Sequence, residues 1–464
     1  MKTLRASRPG AQRGAAALIV VLLLFFVISL VAAYAGRNLI FEQKTSTNQY
    51  RATQAFEAAE AGLEWALAML NDGRITAGCV PPSPMDVTQR SFRQRYLTID
   101  DTTGNITPVR WADGTTAERP SCVRHANDPL DPNKNPWACS CPQGVAPTPA
   151  LPADGGVRPA FRVCFEAVDP PQPGVVRVVS TGRTRFTDEP CDVRGEGTAD
   201  DASATVSVVV ALGTALATPP SVALTVRGDL SVDDPMRLSP TPSSWWDILQ
   251  FRRDWMPSGW LAQIGGTAAT DDLLPSDVRG TPIKALVAVD PALGSLTAEQ
   301  MFTSMFRMRH STYKTQPAAV VLEDCAVACK DKLLTAWQAN PGHILWVEGD
   351  MTIESDVNLG SAGNPLDPLD PPDPVLIVAT GNIRLAASAA VNIVGLLYSK
   401  AADWDNGGPS SAEVLGAAVA EGNFVGRDIG GGAPWVQYNE AILRRLQLST
   451  GSFVRVPGSW RDFQ

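Results

Sequence analysis

The chain has 464 residues, 44% of them hydrophobic and 19% charged, with a formal net charge of -9. One hydrophobic core stops growing well short of that length, so two or three compact units are expected, and the composition excludes wholesale disorder. The acidic balance leaves no broad surface for neutralising phosphates, which excludes a nucleic-acid binder.

Lys2, Arg5, Arg8 and Arg13 precede an uncharged apolar run over residues 15–35, AAALIVVLLLFFVISLVAAYA. At helical rise the run covers about 30 Å, the thickness of a bilayer core. The basic flank predicts that its own side stays in the cytoplasm and that everything beyond the run faces the periplasm. No Pro interrupts residues 38–71, where Ala52, Ala55, Phe56, Ala59, Leu63, Ala66, Leu67 and Leu70 recur at three-and-four spacing. That spacing marks one buried face on a continuing helix, and Asp72-Gly73 is its stop. A cleaved secretory signal is the competing reading, since Ala33-Tyr34-Ala35 fits the small-residue cleavage rule. Against it, the apolar core exceeds the usual signal length, and cleavage there would leave an amphipathic helix at an exposed terminus.

The string RGAAALIVVLLLFF followed by AFEAAEAGLEWAL resembles the N-terminal region of PilX-type minor pilins of type IV pilus systems. The resemblance implies that residues 1–14 are a leader, that a prepilin peptidase cuts after Gly14, and that Ala15 becomes a methylated N-terminus. It implies a single pass through the inner membrane and a helix over 15–73 that packs among other minor and major pilins. It also implies a later place at or near the fibre tip on the cell surface, priming assembly or presenting a large adhesin. Ile19 occupies the fifth mature position, where most major pilins carry Glu, so the usual pairing with a neighbour's N-terminal amine is missing. That absence fits a tip subunit and spares the cost of a carboxylate in the bilayer. The largest pseudopilin of type II secretion systems also lacks the Glu, but a mostly helical insertion would be expected there.

Eight cysteines follow the apolar run: Cys79, Cys122, Cys139, Cys141, Cys164, Cys191, Cys325 and Cys329. An even number outside any tight ligand pattern reads as disulfides in an oxidising compartment. Cys139 and Cys141 are too close to bond each other easily, which leaves Cys79, Cys122, Cys164 and Cys191 as partners, while Cys325 and Cys329 can close a loop of their own. Structural zinc is the rival, with only His125, His310 and His343 in the chain and no paired CxxC. Residues 80–160 are rich in Pro, Asp and Gly and read as irregular structure stapled by disulfides. Period-two runs at 161–168, 175–184 and 205–212 predict an antiparallel sheet. The apolar stripe of the long helix is its natural cover, which is the general pilin plan, so 74–213 reads as one disulfide-rich, pilin-like globular domain.

Residues 214–220 read as a linker, and 221–464 as a β-rich unit of short apolar strands punctuated by Gly-Asp or Gly-Asn at Gly228, Gly349, Gly381 and Gly422. Short strands with regular turns predict a β-solenoid, with a β-sandwich as the alternative. The fold class is therefore α+β: a long transmembrane and amphipathic helix packed on an antiparallel sheet, then a β-rich domain. The run from WVEGD to VQYNEAIL resembles the C-terminal domain that accompanies PilX-type N-termini in large pilus-assembly proteins. Two aromatic clusters stand out: Trp245, Trp246, Phe251, Trp255 and Trp260, and a capped helical stripe of Met301, Phe302, Met305 and Phe306. Such stripes are more often core than contact surface.

No GxSxG, HExxH, P-loop or GxGxxG pattern occurs, so no enzyme and no catalytic residue is expected. Asp350 and Arg384 could be imagined on a polysaccharide-cleaving solenoid face, yet a turn aspartate and a surface arginine explain them more simply. Asp367, Asp370 and Asp373 offer oxygens to calcium, but the Pro after each extends the chain and spreads them apart, so no cofactor is expected. The competing function is a membrane-anchored or secreted protein that binds surfaces or glycans.

Overall fold

In the computed structural model the described residues are 13–109, 119–125, 136–142, 158–186, 202–232, 236–240, 262–267, 273–275, 287–363, 372–385, 389–405, 413–427 and 435–462. Helix α1 (Arg13–Leu70) runs unbroken for 58 residues, about 85 Å at helical rise. From Leu18 to Tyr50 its apolar side chains are exposed, whereas Ala55, Ala59, Leu63, Ala66 and Leu70 are buried at the predicted spacing. Of the other stripe positions Phe56 and Leu67 are half-buried and Ala52 is exposed, since it lies above the point where the helix meets the body.

Helix α2 (Phe92–Tyr96) and the hairpin of β1 (Leu97–Ile99) and β2 (Ile106–Pro108) follow. Then come β3 (Ser121–Arg124), β4 (Trp137–Ser140), β5 (Ala160–Ala167), β6 (Val175–Arg183) and β7 (Ser203–Thr214). These five are joined antiparallel in the order β7-β6-β5-β3-β4. Phe161, Val163 and Phe165 of β5, Val176 and Val178 of β6, and Val206, Val208 and Val210 of β7 meet the buried stripe of α1 in one core. The expectation of irregular structure over 80–160 is corrected where that segment is described. Ser91 caps α2 reciprocally with Gln94, and β3 and β4 widen the sheet, with Cys122 opposite Cys139 and bonded to it. Strands of four residues carry too little alternation to be read, and a covalent link stands in for it.

Gly182 sets how closely helix and sheet approach. A Cβ there would lie 2.1 Å from the Ala55 carbonyl oxygen and 2.3 Å from the Ala59 nitrogen, so the strand backbone rests directly on the helix backbone. Small residues at 55, 58, 59 and 62 leave the room for this contact.

Among the described residues fifteen strands build the second unit: β8 (Leu224–Val226), β9 (Leu230–Val232), β10 (Met236–Pro240), β11 (Ala262–Ile264), β12 (Leu273–Pro275), β13 (Val287–Val289), β14 (Ala319–Leu322), β15 (Ile344–Val347), β16 (Met351–Ile353), β17 (Val357–Leu359), β18 (Val375–Leu385), β19 (Val391–Asp405), β20 (Glu413–Ala420), β21 (Phe424–Arg427) and β22 (Trp435–Tyr438). Every pairing among them is parallel, which makes the unit a solenoid and removes the sandwich alternative, whose sheets are antiparallel. It has three faces, each with an inward ladder in register. Leu345, Ile377, Leu397, Ala418 and Leu224 stack on the first, and Met351, Ile383, Ala402, Phe424 and Leu230 on the second. Leu359, Ile393, Val414 and Val436 stack on the third, and all three rows meet in one core.

The Gly-Asp and Gly-Asn pairs are corners between the first and second faces. Asp350 Oδ1 accepts from the Asn382 amide at 2.7 Å, Asn423 Oδ1 from the Asp229 amide at 2.9 Å, and Asp229 Oδ1 from the Thr267 amide at 2.7 Å. Each coil thus ties its neighbour at a turn, where acceptor side chains are favoured. At the opposite corner Gly395 has φ +146°, and a Cβ would lie 1.9 Å from the Val375 carbonyl oxygen.

The coils are not stacked in chain order. The chain enters at β8 in mid-stack, climbs through β11 to β13, then crosses to the other end and returns through β14, β15, β18 and β19 to β20, which pairs with β8. The crossing strap comprises α3 (Pro291–Ser295), α4 (Ala298–Phe306) and α5 (His310–Tyr313). Its Met301, Phe302, Met305, Phe306 and Tyr313 pack on the outer side of the first face, against Trp346, Leu376, Val378, Leu396 and Tyr398. Helix α6 (Lys330–Ala339) contributes Leu333 and Ala336 to the inner core.

After β22, helix α7 (Glu440–Ser449) lays Leu443 and Leu446 on that same outer layer, and β23 (Gly451–Arg455) pairs antiparallel with β7. The unit expected to run over 221–464 therefore gives its final strand back to the first sheet. Residues 214–220 are no free linker either: Ala215 and Leu216 are fully buried, and the Ala217 and Thr218 amides both donate to the Met305 carbonyl.

Candidate functional site

Two features of α1 carry the chemistry that the sequence offers. Gly14 and Ala15 lie in its first turn. Beyond them, Leu18 to Val31 present an apolar surface broken only by Ser29, with Ile19 at 58% exposure. Among the described residues α1 is the one helix long and apolar enough to cross a membrane, and it lies wholly outside the body over that stretch. About twenty further residues, with Arg37, Glu42, Lys44 and Arg51 among them, separate the apolar stretch from the first buried alanine, Ala55. A helix held at its C-terminal half and bare over the rest presents its apolar length to lipid or to other helices.

The docked end is fastened to both units. Asn71, just past α1, donates through Nδ2 to the Phe453 carbonyl at 2.9 Å and accepts from the Phe453 amide at 2.7 Å, closing the outer edge of β23. Arg93 is buried and donates to the carbonyls of Leu70 at 3.0 Å, Gly451 at 3.1 Å and Gly342 at 3.3 Å, with its guanidinium over the Phe453 ring. Burial pushes its pKa down to about 10. Beside it the His343 ring sits between the carbonyls of Asn71, 3.0 Å from Nε2, and Pro341, 3.2 Å from Nδ1. Burial, reinforced by the Arg93 charge, lowers its pKa to about 4 against the pull of those carbonyls.

The other described sequence candidates are dispersed. Cys79 bonds Cys141 and fixes the 77–80 turn to the sheet's far end, Cys122 bonds Cys139, and Cys325 bonds Cys329 ahead of α6. Cys164 is also disulfide-bonded, while Cys191 lies outside the described residues. Asp367 and Asp370 lie outside them too, as does the Trp245 to Trp260 cluster. Asp373 bridges Ser361 through its backbone, and burial raises its carboxyl to about 6 despite the Arg74 charge nearby. No group of three or more potential metal-binding side chains is gathered among the described residues. Asp350 is engaged at a coil corner and Arg384 is exposed on the second face, so the two form no site.

Sequence reasoning passed over a contact that joins the strap to the solenoid. His310 Nδ1 lies 2.5 Å from Glu299 Oε2 and its Nε2 lies 3.0 Å from Glu421 Oε1, which also accepts from the Tyr398 hydroxyl at 2.7 Å. These residues are up to 122 positions apart in the chain, and no linear spacing signals them.

Residues 13–64 match the family described as PilX N-terminal. A comparison with curated proteins finds no match. Among solved structures, the competence-associated pilin ComZ from Thermus thermophilus aligns over 89% of this chain and 97% of its own, at 10% identity and a TM-score of 0.22. A score of that size says nothing about how this chain is arranged.

Proposed function

We propose that this chain, whose residues 13–64 match the PilX N-terminal family, is a minor pilin of a type IV pilus whose solenoid is displayed by a pilin-type body. Prepilin peptidase cuts after Gly14, Ala15 becomes the new N-terminus, and residues 15–35 hold the protein in the inner membrane with the basic leader on the cytoplasmic side. On extraction the bare apolar helix exchanges lipid for the helices of neighbouring pilins. Ile19 removes the partner for a preceding subunit's amine, which supports a place at or near the tip, where the protein primes the fibre or presents an adhesin. The role is structural rather than catalytic.

The observation that carries this reading is the division of α1 at Ala55 into a bare apolar half and a docked half. Mass spectrometry of the protein isolated from membranes tests it. The expected mature N-terminus is Ala15, methylated. A start at Gly36 would sink the proposal and favour a secreted surface-binding protein, and an intact Met1 would indicate a plain membrane anchor.

A further inference from the structure

We propose that His310 is a proton-dependent latch that holds the strap of α3 to α5 on the solenoid and releases it as the pH rises. Both ring nitrogens face carboxylate oxygens, Glu299 Oε2 at 2.5 Å from Nδ1 and Glu421 Oε1 at 3.0 Å from Nε2. An ionised carboxylate only accepts, and a neutral imidazole has one N–H, so both contacts are hydrogen bonds only when the ring carries two protons. With one proton lost, one carboxylate faces a nitrogen lone pair.

The two carboxylates belong to different parts of the fold. Glu299 is on α4 in the strap and 46% exposed at its side chain, whereas Glu421 is at the coil corner after β20 and only 7% exposed. Glu421 is held from its other side by the Tyr398 hydroxyl of β19, and its backbone carbonyl accepts from Arg227 at the corner after β8. Arg227 also donates to the Leu296 carbonyl at the end of α3, and Arg309, next in the chain, favours ionised Glu299. Burial by itself would discharge the ring, but the bonds to Glu421 and Glu299 outweigh it, and the His310 pKa is raised above 6.5. By linkage a raised base contributes stability that is whole below about 6.5 and lost as pH rises through the folded value.

The ring also lies on the layer that the strap covers. It stacks on Phe302 at 3.9 Å between centroids, and Phe302 touches Tyr313, Trp346 and Tyr398 edge-on. Since β13 and β14 end the described ladder on the first face, the strap between them crosses that ladder from end to end. Loosening its latch therefore bares the outer apolar side of that face rather than a loop tip.

Hydrogen exchange of the full-length protein in detergent, followed by mass spectrometry and corrected for intrinsic rates, reads the latch. Peptides covering 297–313 should be protected roughly ten-fold more at pH 5.5 than at pH 8.5, as expected for one charge-assisted bond, while β15 and β18 stay unchanged. In His310→Gln the strap should exchange fast at both values. Glu299→Gln, at an exposed position that leaves the fold intact, should reduce the pH effect. Equal protection of the wild-type strap at both pH values, or a pH effect of wild-type size persisting in both variants, would overturn the latch.

Discussion

His343 is buried where the end of α1, α2 and the turn before β15 meet, and its proton has a consequence for stability. Its folded pKa of about 4 lies below the ordinary 6.5, so between those values the unfolded chain binds more protons. Stability should be whole above pH 6.5, fall by up to about 1.4 kcal/mol per unit as the pH drops toward 4, and level off below. Asp373 works in the opposite sense: its raised carboxyl keeps a proton in the fold and costs stability as pH rises from 3.8 to about 6. The readout is thus the difference between chains, with melting of His343→Gln expected to lose less between pH 7 and pH 4.5 than the wild type. An unchanged pH slope in the variant would mean that the ring titrates as an exposed histidine does. Neither residue announces this in the sequence, because an isolated histidine or aspartate has no period and its environment comes from three distant segments.

At the scale of elements, the seam between α1 and β6 rests on an absence of side chain. Gly182→Val should force helix and strand apart and cost about 2 kcal/mol or more, as overpacking does, seen as a lower denaturation midpoint at unchanged slope. Gly78→Ala is the control, since its Cβ would meet only the Thr76 hydroxyl at 3.7 Å, and it should stay within about 0.5 kcal/mol of wild type. Equal midpoints for both variants would show that the seam yields. Elements with a strong period were legible: the buried stripe of α1, the three long strands β5 to β7, and the capped helix of Met301 to Phe306. Strands β3 and β4 were not, because four residues and a cross-strand disulfide replace the alternation that would have marked them.

For the whole molecule, the return of β23 turns the solenoid into an insertion between two paired strands. Thr214 stands opposite Gly451, and the Ala215 amide donates to the Thr450 carbonyl at 2.8 Å, so the insertion enters and leaves through neighbouring residues. Replacing 215–450 with a two-residue Asn-Gly turn should leave a folded body of α1 and the six-stranded sheet. Arg93 would keep its bonds to Leu70 and Gly451 and lose the one to Gly342, about 1 kcal/mol. A cooperative thermal transition in detergent is the expected result, and a chain that aggregates without one would make the two units a single folding unit. From its own residues the sequence determined the bare apolar span, the helix that continues from it, the antiparallel sheet and the Gly-Asp corners, because each depends on local period or on turn chemistry. Only the tertiary structure decided the order of the coils, the strap across them, the return of β23 and the His310 and His343 environments. Those depend on which distant segments meet, and contacts over hundreds of positions leave no periodic trace in the chain.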